Sequence, residues 1–277
     1  MCAAKVKTVL TIIKRNKHEG LNMKNFCFTV DDNIRFFKEI GDMACDSIFE
    51  HPYLAMYKRL HEKYALKVQL NLFYEWNDYN LSMFSDRYIE EWKDNSDWLK
   101  LSFHSRLENV NPYEFSDYDE VYTDCKAVND EILRFASDAA LAKTTTLHYC
   151  LATPEGLRAL HDNRVVGLLG LYGKHNPPVS YCRSDSEVKE IIKGKTVKSE
   201  GISYAGLDIV LNCYNEDTIL SQLKSLYGRE FIKVMIHEQY FYKDYPSYQS
   251  DFEEKIDAAF AALSENGYTS VFFEETL

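Results

Sequence analysis

Short apolar runs alternate with amphipathic segments along nearly the whole chain, and this alternation constrains the fold more than any other feature. Runs rich in β-branched and aromatic residues predict strands, and apolar residues at helical intervals between them predict helices. The run from Phe26 to Val30 is apolar or β-branched throughout, which favours a strand buried on both faces, as in a parallel sheet. The predicted strands are 25–30, 67–74, 98–106, 144–150, 165–172, 208–212, 231–238 and 268–273.

No Gly- or Pro-rich linker divides the alternation, which indicates a single α/β domain rather than two. A length of 277 residues suits a (β/α) barrel or its incomplete relative. We place this domain at 23–277 and interpret residues 1–22 as an N-terminal extension that the fold does not need. The segment 174–204 is poorly periodic, and Lys193-Gly194-Lys195 resembles a hairpin turn, so we predict an insertion there.

Charge and cysteine content exclude several classes of function. The net charge of −11 argues against a nucleic-acid partner, which requires a concentrated basic surface. The 7 cysteines form no CxxC pair, so the spacing fits neither a zinc knuckle nor a disulfide framework and indicates a reducing compartment. The apolar run from Val9 to Ile13 is too short for a signal-peptide core or a membrane span. These patterns predict a cytoplasmic protein without a membrane partner. They do not indicate its oligomeric state.

Titratable residues gather where the predicted strands end. In parallel α/β folds the carboxyl ends of the strands carry the active site, so these residues are candidates for chemistry. Each also has a simpler interpretation: an Asp can cap the next helix, a buried His can bond the backbone, and a terminal Glu can be solvated. The residues at these ends are Asp31, Asp32, His104, His148, His237, Glu238 and Glu274.

The segment His104-Ser105-Arg106-Leu107-Glu108 places an imidazole and a carboxylate four residues apart, where one helical turn brings them together. Together with Asp32 they form a three-ligand N/O set able to hold a first-row divalent metal. Such a metal lowers the pKa of its water towards ~7, and the neighbouring Asp31 could accept the proton. The pattern therefore predicts a metal site with Zn, Co, Ni or Mn as its occupant.

At these positions the chain resembles the polysaccharide deacetylases, a family with a distorted (β/α) barrel that removes acetyl groups from N-acetylated sugars. Thr29-Val30-Asp31-Asp32-Asn33 is similar to the Thr-Phe-Asp-Asp-Gly motif of the family, and residues 104–108 resemble His-Ser/Thr-x-x-His. Met235-Ile236-His237 is similar to its late Leu-x-His motif. The resemblance implies a seven-stranded barrel, Asp31 as catalytic base, Asp32 and His104 as ligands, and His237 as general acid.

Three positions depart from that pattern. Asn33 replaces the Gly of the first motif, and Glu108 replaces the second ligand His. Residues 151–154 read Leu-Ala-Thr-Pro where an Arg-Pro-Tyr-like motif would stand. We interpret the chain as a divergent member of the glycoside hydrolase/deacetylase barrel superfamily.

Two hypotheses of different class follow. The first is a metal-dependent hydrolase of a carbon–nitrogen amide bond, a deacetylase of an N-acetylated carbohydrate or related small molecule. The second is a non-catalytic carbohydrate-binding or regulatory barrel that has lost the metal site.

Aromatic residues crowd the loops that follow two of the strands. Tyr240 follows His237, and Tyr74 and Trp76 follow the second strand, so all three are expected on the same face of a barrel. Aromatic faces beside polar groups suit stacking on a sugar ring, although packing onto the barrel rim would explain them equally well. We predict that they bind substrate together with His148 and Glu238.

Overall fold

The computed structural model describes residues 24–108, 113–173 and 180–277. Strand β1, Lys24–Asn33, lies at the centre of the larger of two main sheets. It runs parallel to β11 (Phe231–His237) on one side and to β2 (Val68–Phe73) on the other. Because both of its faces are covered, every residue from Phe26 to Asn33 is buried, as the apolar run predicts.

The larger sheet has the order β10-β11-β1-β2-β5, and β12 also pairs with β1. In this sheet β5 spans Leu99–Ser105, β10 spans Ile209–Val210 and β12 spans Tyr268–Ser270. The smaller sheet has the order β6-β7-β9-β8. Its strands are β6 (Thr144–Thr145), β7 (Gly167–Gly170), β8 (Val197–Ser199) and β9 (Ile202–Gly206). A short hairpin, β3 (Glu75–Trp76) and β4 (Tyr79–Asn80), follows β2.

The two sheets approach each other at both edges. On one side a single parallel bridge joins Leu101 to Leu141, just before β6. On the other side the chain passes directly from β9 into β10, with Leu207 bonded to Gly170 and Asp208 to Lys233. No continuous strand ladder joins β5 to β6 within the described residues, so the predicted α/β barrel is distorted and not closed.

Eight helices of the described residues connect the strands, and their starts show ordinary capping chemistry. Thr153 accepts from the Gly156 amide ahead of a helix that begins with Pro154, and Ser184 forms a reciprocal capping box with Glu187. The helices are α1 (Arg35–Met43), α2 (Pro52–Tyr64), α3 (Ile89–Asp94), α4 (Tyr118–Phe135), α5 (Pro154–Asp162), α6 (Asp185–Ile192), α7 (Glu216–Leu226) and α8 (Phe252–Glu265).

Two predictions about the chain course differ from the structure. The predicted strand 144–150 ends at Thr145, and a short helical turn over His148–Cys150 follows. The segment 174–204 contains α6, β8 and the start of β9, and β9 pairs in parallel with β7; the insertion itself stays a prediction. The turn between β8 and β9 is at Glu200 and Gly201, both with positive φ, rather than at Lys193–Lys195. Residues 1–22 and 174–179 lie outside the described residues, so the dispensable extension stays a prediction.

Below the site the barrel interior combines an apolar cluster with buried, partnered polar side chains such as Gln69, Thr144 and Lys233. Cys27, Leu169, Ala205 and Met235 project inward from four different strands and pack together with Phe273. Because side chains fill the interior here, a ligand site is confined to the carboxyl ends of the strands. Within the described residues, no helix has the length and apolar character needed to cross a membrane.

Candidate metal and active site

The end of β1 is irregular at its two carboxylates. The pairing register with β2 shifts between Val30 and Asn33, and Asp32 has a φ of 64°. A positive φ is uncommon outside Gly and turns the side chain away from the alternation of a regular strand. In a regular strand adjacent side chains point to opposite faces, so this irregularity lets both carboxylates approach His104: Asp32 as a direct contact and Asp31 through its charge.

Asp32 lies against two imidazoles that come from different sheets. Its Oδ1 is 3.0 Å from Nε2 of His104 and 3.3 Å from Nδ1 of His148. These two ring nitrogens are 3.2 Å from each other. His104 belongs to β5, in the larger sheet, whereas His148 lies in the turn after β6, in the smaller sheet. Three N/O ligand atoms thus converge within 4.8 Å at the open edge of the barrel.

The hydrogen bonds around His104 are those of a metal ligand. Its Nδ1 faces the carbonyl oxygen of Thr146, which can only accept, so Nδ1 carries a proton. A neutral His104 then has its lone pair on Nε2, available to a cation shared with Asp32 and His148; without a cation, Nε2 needs a proton to hydrogen-bond Asp32. Metal-binding imidazoles typically donate their second nitrogen to such a backbone carbonyl.

The charges in this cluster oppose one another strongly. Burial raises the pKa of Asp32, but hydrogen bonds with His104 and His148 outweigh it and hold the pKa well below its usual range. Burial lowers the pKa of His104, but the negative charges of Asp31 and Asp32 outweigh it and raise that pKa above 6.5. Without a cation, a proton on His104 is what balances the buried carboxylates.

Gln239, which belongs to none of the sequence motifs, holds the second oxygen of Asp32. Gln239 Nε2 donates to Asp32 Oδ2 over 2.7 Å. This contact fixes the orientation of the carboxylate and leaves Oδ1 directed at the two imidazoles. One carboxylate oxygen and two imidazole nitrogens form the donor set of open zinc-type sites, so the residues present fit a divalent metal.

Asp31 and His237 lie side by side on β1 and β11, where they are register partners. Asp31 is buried and accepts a 2.7 Å hydrogen bond from Asn71. Burial raises the pKa of Asp31 more than the nearby His104 and His237 lower it. His237 Nδ1 is 2.9 Å from Oδ1 of Asn212, which fixes the imidazole orientation. Because an amide oxygen only accepts, this contact places the proton on Nδ1 and leaves Nε2 free to exchange one.

A cleft of about 450 Å³ opens beside these groups, with Asp31, His104, His148 and His237 in its wall. This volume is typical of small-molecule sites. A smaller cavity of about 80 Å³ lies on the other side of Asp32 and includes Trp76, Glu108 and Gln239 among its lining residues. Asp32 lines the smaller cavity, whereas Asp31, His104, His148 and His237 line the larger one.

The structure groups His148, rather than Glu108, with Asp32 and His104. From the sequence, His148 is predicted to bind substrate, and the strand predicted at 144–150 runs past it. The strand instead ends before it, and Tyr149 and Cys150 have positive φ values, so the chain turns where His148 enters the site. Glu108 lies outside the cluster but close enough that the charge of Asp32, after burial, helps to raise its pKa.

Glu238, predicted from the sequence to bind substrate, instead stabilises the start of α1. Its carboxylate accepts from the backbone amides of Ile34, Arg35 and Phe36 and from the Tyr242 hydroxyl, over 2.6–3.2 Å. The buried group therefore caps the N-terminus of α1, where a negative charge is favourable. Burial raises the pKa of Glu238 to about 6. With its oxygens engaged in this way, the predicted contact with substrate has no support in its hydrogen bonds.

The predicted aromatic contacts divide between the smaller cavity and the surrounding loops. Trp76 lines the smaller cavity. Tyr240 is half-buried with its ring centroid 6.2 Å from that of His237. Tyr74 packs against the guanidinium of Arg106, 5.4 Å from the ring centroid, and is absent from the lining of both cavities. Of these three aromatic residues, Trp76 lines the smaller cavity, and neither Tyr74 nor Tyr240 lines either one.

We expect Glu238→Ala to lower the free energy of unfolding by about 3 kcal/mol, because three helix amides and a buried hydroxyl lose their acceptor. Glu238→Gln should have a smaller effect, since one oxygen remains. Urea denaturation measures both changes. Glu254→Ala, at an exposed first-turn position of α8, is the matched control and should change stability by less than about 0.5 kcal/mol. Equal losses for Glu238→Ala and the control would contradict the capping role.

No protein-family model and no curated protein sequence matches the chain. Solved structures do match. A CE4 family pseudoenzyme from Bacillus anthracis aligns over 92% of this chain and 65% of its own, with a TM-score of 0.52 and 11% identity. A family 4 acetyl xylan esterase from Clostridium thermocellum, in complex with a cobalt ion, aligns over 91% and 89% with a TM-score of 0.51 and 13% identity.

The chain has a polysaccharide deacetylase fold. This confirms the resemblance drawn from the three motifs at the level of the fold. A 4-alpha-glucanotransferase from Thermococcus litoralis also aligns, over 91% of this chain and 40% of its own, with a TM-score of 0.59 and 14% identity. The chain therefore spans 65% and 40% of the lengths of the pseudoenzyme and the glucanotransferase. Because proteins of different activity share this deacetylase fold, function has to be argued from the site.

Proposed function

We propose that the protein is a divergent polysaccharide deacetylase family member and a metal-dependent hydrolase of a carbon–nitrogen amide bond. Its substrate would be an N-acetylated carbohydrate or a related small molecule. The observation that carries this proposal is the convergence of Asp32, His104 and His148, the two imidazoles of which line a cleft together with Asp31 and His237. An Asp-His-His set with an open side beside a candidate base and a candidate acid suits amide hydrolysis.

Each side chain has a separate task in this proposal. Asp32, His104 and His148 would hold a divalent cation, which when bound supplies Lewis-acid activation of an amide carbonyl and of water. Asp31 would accept a proton from the attacking water, and Asn71 orients its carboxylate. His237 would deliver a proton to the leaving amine from Nε2, with Asn212 fixing the ring. The raised pKa of Asp31 makes it a stronger base than an ordinary Asp when ionised.

Metal loading followed by an acetate-release assay tests this proposal. The purified chain should take up about one Zn²⁺, Co²⁺, Ni²⁺ or Mn²⁺ and release acetate from N-acetylglucosamine oligomers or small acetamides only when loaded. Failure to take up any of these metals would contradict it. Sugar binding that persists in chelator, without acetate release, would instead establish the non-catalytic carbohydrate-binding barrel.

We also propose that the protein works in the cytoplasm without a nucleic-acid or membrane partner. The cysteines support this: within the described residues Cys27, Cys45, Cys125 and Cys150 are buried free thiols, which is usual in a reducing compartment. The net charge of −11 opposes binding to a phosphate backbone.

We expect the affinity for metal to fall on acidification, because His104 must lose a proton to bind a cation and its pKa lies above 6.5. Below that pKa, each pH unit should cost up to tenfold in affinity. In the metal-free chain the sign is opposite: the stability that His104 gains from its raised pKa is present below 6.5 and is lost as pH rises through the folded-state pKa. The rise in melting temperature on adding Co²⁺ should therefore be larger at pH 8 than at pH 6. A rise that does not depend on pH would contradict this assignment.

A further inference from the structure

The larger cleft is polar on one side only. Its charged and imidazole groups all lie at the metal cluster and the end of β1 and β11, as described above. The rest of the wall is formed largely by apolar side chains, among them Leu151, Leu171, Val210 and Met235. A ligand that enters this cleft thus meets catalytic chemistry at one end and a hydrocarbon surface at the other.

The Ser180 hydroxyl in this wall is already engaged, and the Tyr149 hydroxyl belongs to an exposed residue. Ser180 Oγ accepts from the Leu171 amide over 2.9 Å and donates to the Leu171 carbonyl over 2.7 Å. Buried sugar hydroxyls each need a hydrogen-bond partner, and leaving them unpaired disfavours binding. The apolar wall offers few such partners, so it suits a hydrocarbon group better than a sugar ring.

The size and the mouth of the cleft also suit a hydrocarbon group. A dry cavity of about 150 Å³ holds a benzene molecule, so about 450 Å³ exceeds what an acetyl methyl group requires. At the mouth, the Tyr149 side chain is 52% exposed, and its ring centroid is 4.0 Å from that of His148. An exposed aromatic ring beside the cluster adds apolar surface where a substituent would enter.

We infer that the cleft selects amides that carry an apolar substituent of several carbons on one side of the scissile bond. This rests on the proposed amide hydrolase and narrows its substrate class. The scissile amide lies at the Asp32, His104 and His148 cluster, and the substituent extends along Leu171, Val210 and Met235. Each buried methylene should raise affinity about fourfold.

Two substrate series test the inference with the metal-loaded protein. One series lengthens the acyl chain of N-acyl glucosamines from acetyl to octanoyl, and the other lengthens the amine of N-acetyl alkylamines. We expect kcat/KM to rise at least tenfold along one series, and the series that responds identifies the side of the amide that enters the cleft. Fastest hydrolysis of the acetylated sugar, with no gain in either series, would overturn the inference and leave the hydrolase intact.

Binding to the metal-free protein separates this inference from the proposed activity. Hexanamide should bind at least tenfold more tightly than acetamide in the presence of chelator, as measured by NMR titration, even if no amide is hydrolysed. Val210→Thr keeps the shape of the side chain but adds a hydroxyl, and should weaken hexanamide binding severalfold without affecting metal uptake. Val197→Thr, on half-buried β8, is the matched control and should change neither. Equal affinity for the two amides would overturn the inference.

Discussion

Replacing His148 by Ala is expected to weaken Co²⁺ or Zn²⁺ binding by at least a hundredfold, because it removes one of three ligand atoms that lie within 4.8 Å of one another. Glu108→Gln should leave the affinity within about threefold, since Glu108 lies outside that cluster. The two variants distinguish the ligand set in the structure from the one predicted from the sequence. Competition against a chromogenic chelator measures both.

His161→Ala controls for nonspecific loss of an imidazole, because the His161 side chain is 48% exposed and lies outside the cluster, in α5. It should bind metal as the unaltered chain does. Circular dichroism of each variant checks that the fold is retained. If Glu108→Gln abolished binding and His148→Ala did not, the cluster would be a structural hydrogen-bond network, and the third ligand would be Glu108.

Asp31→Asn is expected to reduce metal-dependent amide hydrolysis by about 10³-fold while the metal stays bound. The amide has the same shape as the carboxylate and can still accept from Asn71, but it cannot take a proton from water. Acetate release and metal stoichiometry, measured on the same sample, separate these two effects. Asp130→Asn, at a 56% exposed position paired with Lys126, is the matched control and should be fully active.

The pH profile adds a second readout for Asp31. Burial raises its pKa above 3.8, and a base must be ionised to act, so activity should fall as pH decreases through that raised value. Asp31→Asn should remove this acid limb from whatever activity remains. A variant that kept full activity and an unchanged profile would show that Asp31 is not the base.

The sequence was sufficient for the parts of the site that depend on strand order. The apolar run before Asp31 predicted a buried central strand, and His104 and His237 ended two further strands of the same sheet. Parallel strands bring their carboxyl ends together whatever lies between them in the chain. That geometric rule is why residues separated by up to two hundred positions could be expected to meet.

The rest depended on local backbone geometry that periodicity does not encode. β6 ends after Thr145, and consecutive left-handed residues at Tyr149 and Cys150 turn the chain, so His148 reaches Asp32 although the β-branched pattern predicted a longer strand. Glu238 follows His237 directly, yet the turn after β11 points it at the start of α1. A pattern of residue types locates strand ends but does not state which way the next side chain turns.

The gap between β5 and β6, where no continuous strand ladder forms within the described residues, affects how cooperatively the two sheets open. We call this gap the seam. Asp32 and His104 stand on one side of it and His148 on the other. Within the described residues the backbones pair across it at Leu101–Leu141, and the side chains of Ser102, His104 and Thr145 add hydrogen bonds. A cation bound by all three side chains would link the larger sheet to the smaller one. Part of the free energy of binding would then stabilise the seam against opening. Hydrogen exchange of the backbone amides around Leu141 should therefore slow down when an ion binds at the opposite end of the strands.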